Sequence, residues 1–147
     1  MEAVAPLTTF RLTPRPYQYE AVAALLAAMA RSIQRPLLVL PTGTGKTIVF
    51  ALLVQRRRGR SLLLAHRDEL IQQAVAKLRL VDPTLPLGVG QAACGEHTAA
   101  TVVASVQTLS RRTRLARLVP DFQTVVIDEA HYAPAPTYRR ILEYCRA

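Results

Sequence analysis

The chain reads as an α/β domain, a parallel sheet with helices on both faces, and three observations predict it. Short runs rich in leucine and β-branched residues recur at 36–40 (PLLVL), 61–65 (SLLLA), 101–105 (TVVAS) and 124–128 (TVVID). They are continuously apolar rather than alternating, the mark of strands buried on both faces. Helical patterns fall between them, and that alternation implies right-handed crossovers into one parallel sheet. The 147 residues are 50% hydrophobic and 20% charged, a globular balance sized for one domain spanning 1–147.

The elements follow in order. Val22, Leu25, Leu26, Met29 and Ile33 share one face at helical spacing, which predicts an amphipathic helix over 17–33. The strand 36–40 leads into a glycine-rich turn and a helix. After strand 61–65, Leu70, Ala74 and Leu78 mark the apolar face of a helix over 67–80. LPLGV at 85–89 predicts a short extra strand, ahead of strands 101–105 and 124–128. Tyr138, Ile141, Leu142 and Cys145 place a last helix at 136–145.

Four polar segments each follow one of these strands. PTGTGKT follows PLLVL, HRDE follows SLLLA, VQT follows TVVAS, and DEAH closes TVVI. Parallel strands put all four on one rim of the sheet, where open α/β sheets bind ligands.

Pro41 to Thr47 between a strand and a helix has the context of a phosphate-binding loop. Thr42, Gly43, Thr44 and Gly45 would wrap their backbone N–H groups around phosphates at the helix N-terminus. Lys46 would reach the β- and γ-phosphates, and Thr47 would ligate Mg²⁺ through its hydroxyl. The strict G-x-x-x-x-G-K-[ST] pattern has glycine where this chain has Leu40. At the end of 124–127, Asp128 suits Mg²⁺, a hard cation, and Glu129 suits proton abstraction from an attacking water. His131 suits either a γ-phosphate contact or a cap of the next segment.

This pair of motifs resembles superfamily-2 helicases of the DEAD/DEAH type, over nearly the whole chain. The resemblance implies a RecA-like P-loop NTPase domain, the first of two, using ATP and Mg²⁺. Arg15-Pro16-Tyr17-Gln18 is similar to that superfamily's adenine-reading segment, which implies that Gln18 reads the adenine edge. AHRDEL (65–70) and SVQTL (105–109) are similar to its motifs Ia and Ib, which implies backbone-phosphate contacts for Arg67 and Thr108. Both residues equally suit helix caps. The wording PTGTGKT, AHRDEL and DEAH looks closest to helicase subunits of type I and type III restriction enzymes. DNA is then the expected partner, with RNA as the alternative.

The superfamily's motif III and second RecA-like domain find no match here, so the resemblance implies a domain truncated before the motif III strand. That strand lies between the phosphate-loop strand and the DEAH strand in RecA-like folds. Segments 36–40 and 124–128 are therefore expected not to share a ladder, and to expose Leu38 and Val126. ATP binding is expected, unwinding is not.

Composition adds little beyond this. Net charge is +9, and apart from Lys46 and Lys77 every basic residue is arginine, clustered at 56–60 and 111–117. A polyanion partner and a merely solvated surface fit that charge equally. Cys94 and Cys145, with His66, His97 and His131, show no metal-ligand spacing. There is no apolar run of membrane-spanning length and no leader-like N-terminus, so the cytoplasm is the expected compartment. A phosphate-loop ATPase acting on something other than nucleic acid, and an inactive nucleotide-binding remnant, are the competing functional readings.

Overall fold

The computed structural model describes residues 13–41, 43–57, 59–85, 87–90 and 100–145. Thr42, within the phosphate-loop reading, lies outside them, as do Pro86, Cys94 and His97.

The elements run α1 (Pro16–Ala30), α2 (Lys46–Arg56), β1 (Ser61–Ala65), α3 (Glu69–Val81), β2 (Leu87–Gly90), β3 (Thr101–Ser105), α4 (Val106–Leu109), α5 (Arg112–Leu115), β4 (Thr124–Ile127), a 3₁₀ turn (Ala130–Tyr132) and α6 (Pro136–Tyr144). All four strands are parallel, in the order β2-β3-β1-β4. The register sets Ala65 beside Ser105 and Leu64 beside Ile127, so three strands end level with one another.

β1 and β3 are buried on both faces, as their continuous hydrophobicity requires, while Val125, Val126 and Ile127 of β4 are partly buried. Leu62, Leu64, Val102 and Ala104 pack under Leu109, Leu115, Leu118, Tyr138 and Ile141. The alternate residues Leu63, Ala65 and Val103 pack on Phe50, Ala51, Ile71, Val75 and Leu78 of α2 and α3. Successive side chains of a strand point to opposite faces, so one sheet serves two helical layers. A third cluster joins α1 to α2 through Ala21, Val22, Val49, Leu52 and Leu53, and Val126 of β4 packs at its margin.

The segment 36–40 departs from the expected strand. Among the described residues it joins no ladder, and β4 pairs only with β1. The absence of a ladder between 36–40 and β4 agrees with the expectation, but the exposed side chains are different ones. Leu37 and Val39 are 71% and 78% exposed, whereas Leu38, Leu40 and Val126 are partly buried in the α1–α2 cluster. One face of the segment is covered by helices and the other is bare, giving alternation where continuity was read.

Two helix faces also shift. Ile33 lies beyond the end of α1 and is 44% exposed. In α3 the buried stripe is Ile71, Val75 and Leu78, while Leu70 is on its exposed shoulder. The nine residues 70–78 admit either stripe, and packing against β3 selects the one carrying the β-branched residues. No helix among the described residues is long and apolar enough to cross a membrane.

Candidate functional site

The glycine-rich loop opens α2. Gly45 stands at its N-cap with φ +74°, and Gly43 has φ +81°, both in the left-handed region that a side chain disfavours. A Cβ on Gly45 would come within 2.7 Å of Gln18 Nε2, whereas around Gly43 the space is open to 4 Å. Among the described residues, the backbone N–H groups of Gly45, Lys46 and Thr47 meet no acceptor. They are the orphan donors of a helix N-terminus, and a phosphate is the ligand such donors fit. Lys46 is exposed and Thr47 partly buried beside it. Thr44 turns inward, its hydroxyl donating to Pro41 O at 2.6 Å.

This loop is held from behind by the start of α1. Tyr17 Oη and Gln18 Nε2 both donate to Thr44 O at 2.9 Å, and Nε2 also reaches Gly45 O at 3.5 Å. Gln18 Oε1 in turn accepts from Arg15 N at 2.8 Å, and the side chain is only 3% exposed. Both ends of the Gln18 amide are thus engaged by protein, and its position is behind the phosphate loop rather than at an open edge.

Asp128 continues β4, its N–H donating to Leu64 O at 3.0 Å. Its Oδ1 accepts Glu129 N at 3.0 Å. Glu129 has φ 58° and ψ 57°, and it starts the 3₁₀ turn. Its carboxylate lies 3.4 Å from His131 Nδ1, an exposed contact. His131 faces Glu129 here, and among the described residues it makes no capping hydrogen bond. Tyr132 in the same turn stacks on His66 at 4.1 Å between ring centroids and 7° between planes. His66 Nδ1 lies 3.2 Å from Tyr138 Oη. Burial, then the neighbouring Tyr132, Asp128 and Glu129, raise the Tyr138 phenol above its ordinary value, which keeps it a neutral hydrogen-bonding group.

The loops after β1 and β3 are tied together by Asp68. Its Oδ1 accepts the hydroxyls of Ser105 and of Thr108, the latter at 2.8 Å. Ser105 Oγ also accepts Thr108 N at 2.9 Å, capping α4. The Thr108 hydroxyl proton is therefore committed within the protein. Arg67 is exposed, beside a cleft of about 530 Å³ lined also by His66, Gln107, Ser110, Tyr132 and Tyr138.

Along the rim the strand order sets Thr108 after β3, Arg67 after β1 and Asp128–Glu129 after β4. The segment leading to the glycine-rich loop packs near β4 through Leu38, Leu40 and Val126. Thr108 and Arg67 thus fall to one side of the Asp128 end.

With this geometry in view, comparison with known proteins is decisive on family. Residues 11–147 match the family described as type III restriction enzyme, res subunit (ResIII). The chain belongs to that family. This ResIII chain is 35% identical over 145 residues to IRC3 of Saccharomyces cerevisiae, a protein provisionally named an ATP-dependent helicase, covering 90% of the chain and 21% of that protein. It is 30% identical over 156 residues to a type I restriction enzyme EcoAI endonuclease subunit of Escherichia coli, covering 90% of the chain and 18% of that subunit. The chain thus spans about a fifth of the length of these relatives. Its fold matches the Sulfolobus solfataricus SWI2/SNF2 ATPase core in complex with dsDNA (TM-score 0.71, 18% identity, 97% of this chain and 31% of that one). It also matches the UvsW helicase from bacteriophage T4 (TM-score 0.66, 22% identity, 91% of this chain and 49% of that one).

Sequence reasoning missed Asp68, Tyr17 and the His66–Tyr132–Tyr138 group in this ResIII site. Asp68 sat inside a quoted motif, but nothing in local spacing joins it to Thr108, 40 residues away. Tyr17 and His66 likewise sat inside quoted motifs, whereas for Tyr132 and Tyr138 the sequence carried no signal beyond the apolar face of α6.

Proposed function

We propose that this chain is the ATP-binding module of a nucleic-acid helicase or translocase, one that couples ATP hydrolysis to movement on DNA, with RNA as the alternative track. The observation that carries the reading is the shared rim. The Asp128–Glu129 pair and the Arg67 cleft lie at the carboxyl ends of β4 and β1. The glycine loop with Lys46 and Thr47 opens α2, which packs on the same sheet and has its other end at the start of β4, so that its N-terminus is directed to that rim. Family membership and the helicase names of relatives support it.

In this reading the N–H groups of 45–47 and Lys46 bind the phosphates. Thr47 and Asp128 fit Mg²⁺, being oxygen donors, and Asp128 Oδ2 has no protein partner among the described residues. The ion, when bound, would draw charge from the β- and γ-phosphates. Glu129 accepts a proton from the attacking water. Gln18 reads the adenine edge only by releasing Thr44 O; otherwise it acts by holding the loop. Arg67 contacts backbone phosphate directly, whereas Thr108 would exchange Asp68 for a phosphate oxygen. Full turnover is proposed to need a second RecA-like domain, whose arginine is worth roughly 10³–10⁵ in rate. The compartment proposed is the cytoplasm; a Schizosaccharomyces pombe relative is named mitochondrial, which makes that the competing location.

Titration with a non-hydrolysable Mg-ATP analogue tests the core of the reading. Lys46→Ala is expected to weaken binding by about 10- to 100-fold, the size of a lost charge-assisted hydrogen bond. Binding as tight as wild type would remove the loop from phosphate recognition. Oligonucleotide stimulation of ATP hydrolysis in the intact protein tests the nucleic-acid half.

A further inference from the structure

The two arginine clusters are indistinguishable as sequence, but the fold separates them. Arg56, Arg57 and Arg60 lie at the rim where strands begin, and their guanidinium groups are engaged by protein. Arg57 Nε donates to Thr124 Oγ1 at 2.7 Å, and Arg60 Nη1 donates to Val119 O at 2.8 Å while lying over the Phe122 ring at 4.4 Å. Arg56 lies over the Tyr19 ring at 5.5 Å.

The second cluster begins at the opposite rim. The chain leaves β3, turns through α4, and reaches Ser110, which lines the cleft beside Arg67. Arg111 and Arg112 follow at once, both exposed, with no side-chain partner among the described residues. Leu109, Leu115 and Leu118 bury the underside of this segment, at 1%, 5% and 1% exposure. The arginines therefore stand on a packed base, and less side-chain and backbone freedom is lost when they bind. A third guanidinium backs them from α6. Arg140 Nη2 donates to Ser110 O at 2.5 Å, and its Nε is the single buried side-chain nitrogen or oxygen among the described residues without a partner. Residues 97–120 contain no aspartate or glutamate, and Glu69 is the one acid lining the cleft.

We propose that Arg111 and Arg112, braced by Arg140, extend the nucleic-acid track beyond the cleft and hold backbone phosphates next to the one met by Arg67. This rests on the nucleic-acid reading above. The ligand is a phosphodiester backbone because exposed guanidinium groups in a row, without acids or an apolar floor, offer charge and paired donors and no base-reading surface. Arg56, Arg57 and Arg60, with their heads already engaged at the far rim, take no part.

Fluorescence anisotropy with duplex and single-stranded oligonucleotides, across a salt series, decides this in the full chain. The double variant Arg111→Ala/Arg112→Ala is expected to lower the slope of log K against log salt by about two. Arg56→Ala is expected to leave it unchanged. If wild type binds neither oligonucleotide, the nucleic-acid reading falls and the track with it. If wild type binds and the double variant keeps the full slope, the track alone is overturned. An equal loss in Arg56→Ala would reduce the effect to net charge and also overturn it. Displacement of the oligonucleotide by polyglutamate at equal charge would reassign the surface to an acidic polypeptide.

Discussion

Glu129 occupies left-handed backbone space, φ 58° and ψ 57°, which a non-glycine residue holds only at a cost of about 1–3 kcal/mol. The turn that follows β4 imposes it, and the effect is to set the carboxylate past the strand end while Asp128 stays in line with the sheet. Glu129→Gln should therefore keep ATP affinity and lose about 10²-fold or more in hydrolysis, measured as single turnover in the intact protein. Equal turnover would remove Glu129 from the chemistry. A second residue-scale expectation concerns Cys145, which is 1% exposed. Burial pushes its thiol from 9.0 up to about 11, with Arg60 opposing. A folded-state value raised in this way contributes stability below pH 9 that is lost as pH rises through about 11. In a Cys94→Ser background the native thiol should resist a thiol reagent at mildly alkaline pH. Denaturation midpoints should fall between pH 9 and 11, less steeply in Cys145→Ala; a flat profile in wild type would contradict the burial. At this scale the placement of a residue was legible in the sequence wherever that placement is local. Lys46, Thr47, Asp128 and Glu129 stand beside the turns that place them. Gln18 and Thr108 were harder to read because their partners, Thr44 and Asp68, are 26 and 40 residues away.

Between residues and the whole, the joint that matters is the one from β1 to the 3₁₀ turn. His66, just past β1, stacks on Tyr132 of that turn and meets Tyr138 Oη of α6 at 3.2 Å. Three elements thus share one imidazole, and one of them, the 3₁₀ turn, begins directly after Glu129. His66→Ala should lower stability by about 1–2 kcal/mol, an aromatic contact plus a hydrogen bond. It should also slow hydrolysis with little change in ATP affinity, since the phosphate loop is not part of this joint. His66→Phe keeps the stack without the hydrogen bond and should recover part of both losses. Thermal melts beside single-turnover rates check this; wild-type hydrolysis in His66→Ala would make the joint purely structural. None of this was legible in advance, because the apolar periodicity of α6 identifies Tyr138 as core without saying that its hydroxyl has work on the other side.

For the molecule as a whole, the sheet's order explains which backbone is secure. β1 is bonded on both sides, by β3 and by β4, and lies between two helical layers. The 36–40 segment has only side-chain support: Leu38 and Leu40 sit on α1 and α2, while its amides join no ladder and Leu37 and Val39 face outward. An apolar run of five residues reads as a strand whatever its neighbours, since hydrophobicity reports the wish to be buried and not the partner that satisfies it. That is why three of the four expected central strands matched closely and this one did not. Amides unprotected by a ladder exchange at nearly the local opening rate, whereas those of a doubly paired central strand open only with the global unfolding. Hydrogen exchange followed by mass spectrometry should accordingly show the amides of 37–40 exchanging orders of magnitude faster than those of β1, with β2 and β4 between them. The same bare edge is a template for intermolecular pairing, so Val39→Lys should reduce aggregation without lowering the melting temperature. Protection at 37–40 equal to that of β1 would mean that the segment finds a ladder partner in solution, and the view of 36–40 as a side-chain-anchored strap carrying the phosphate loop would have to be abandoned.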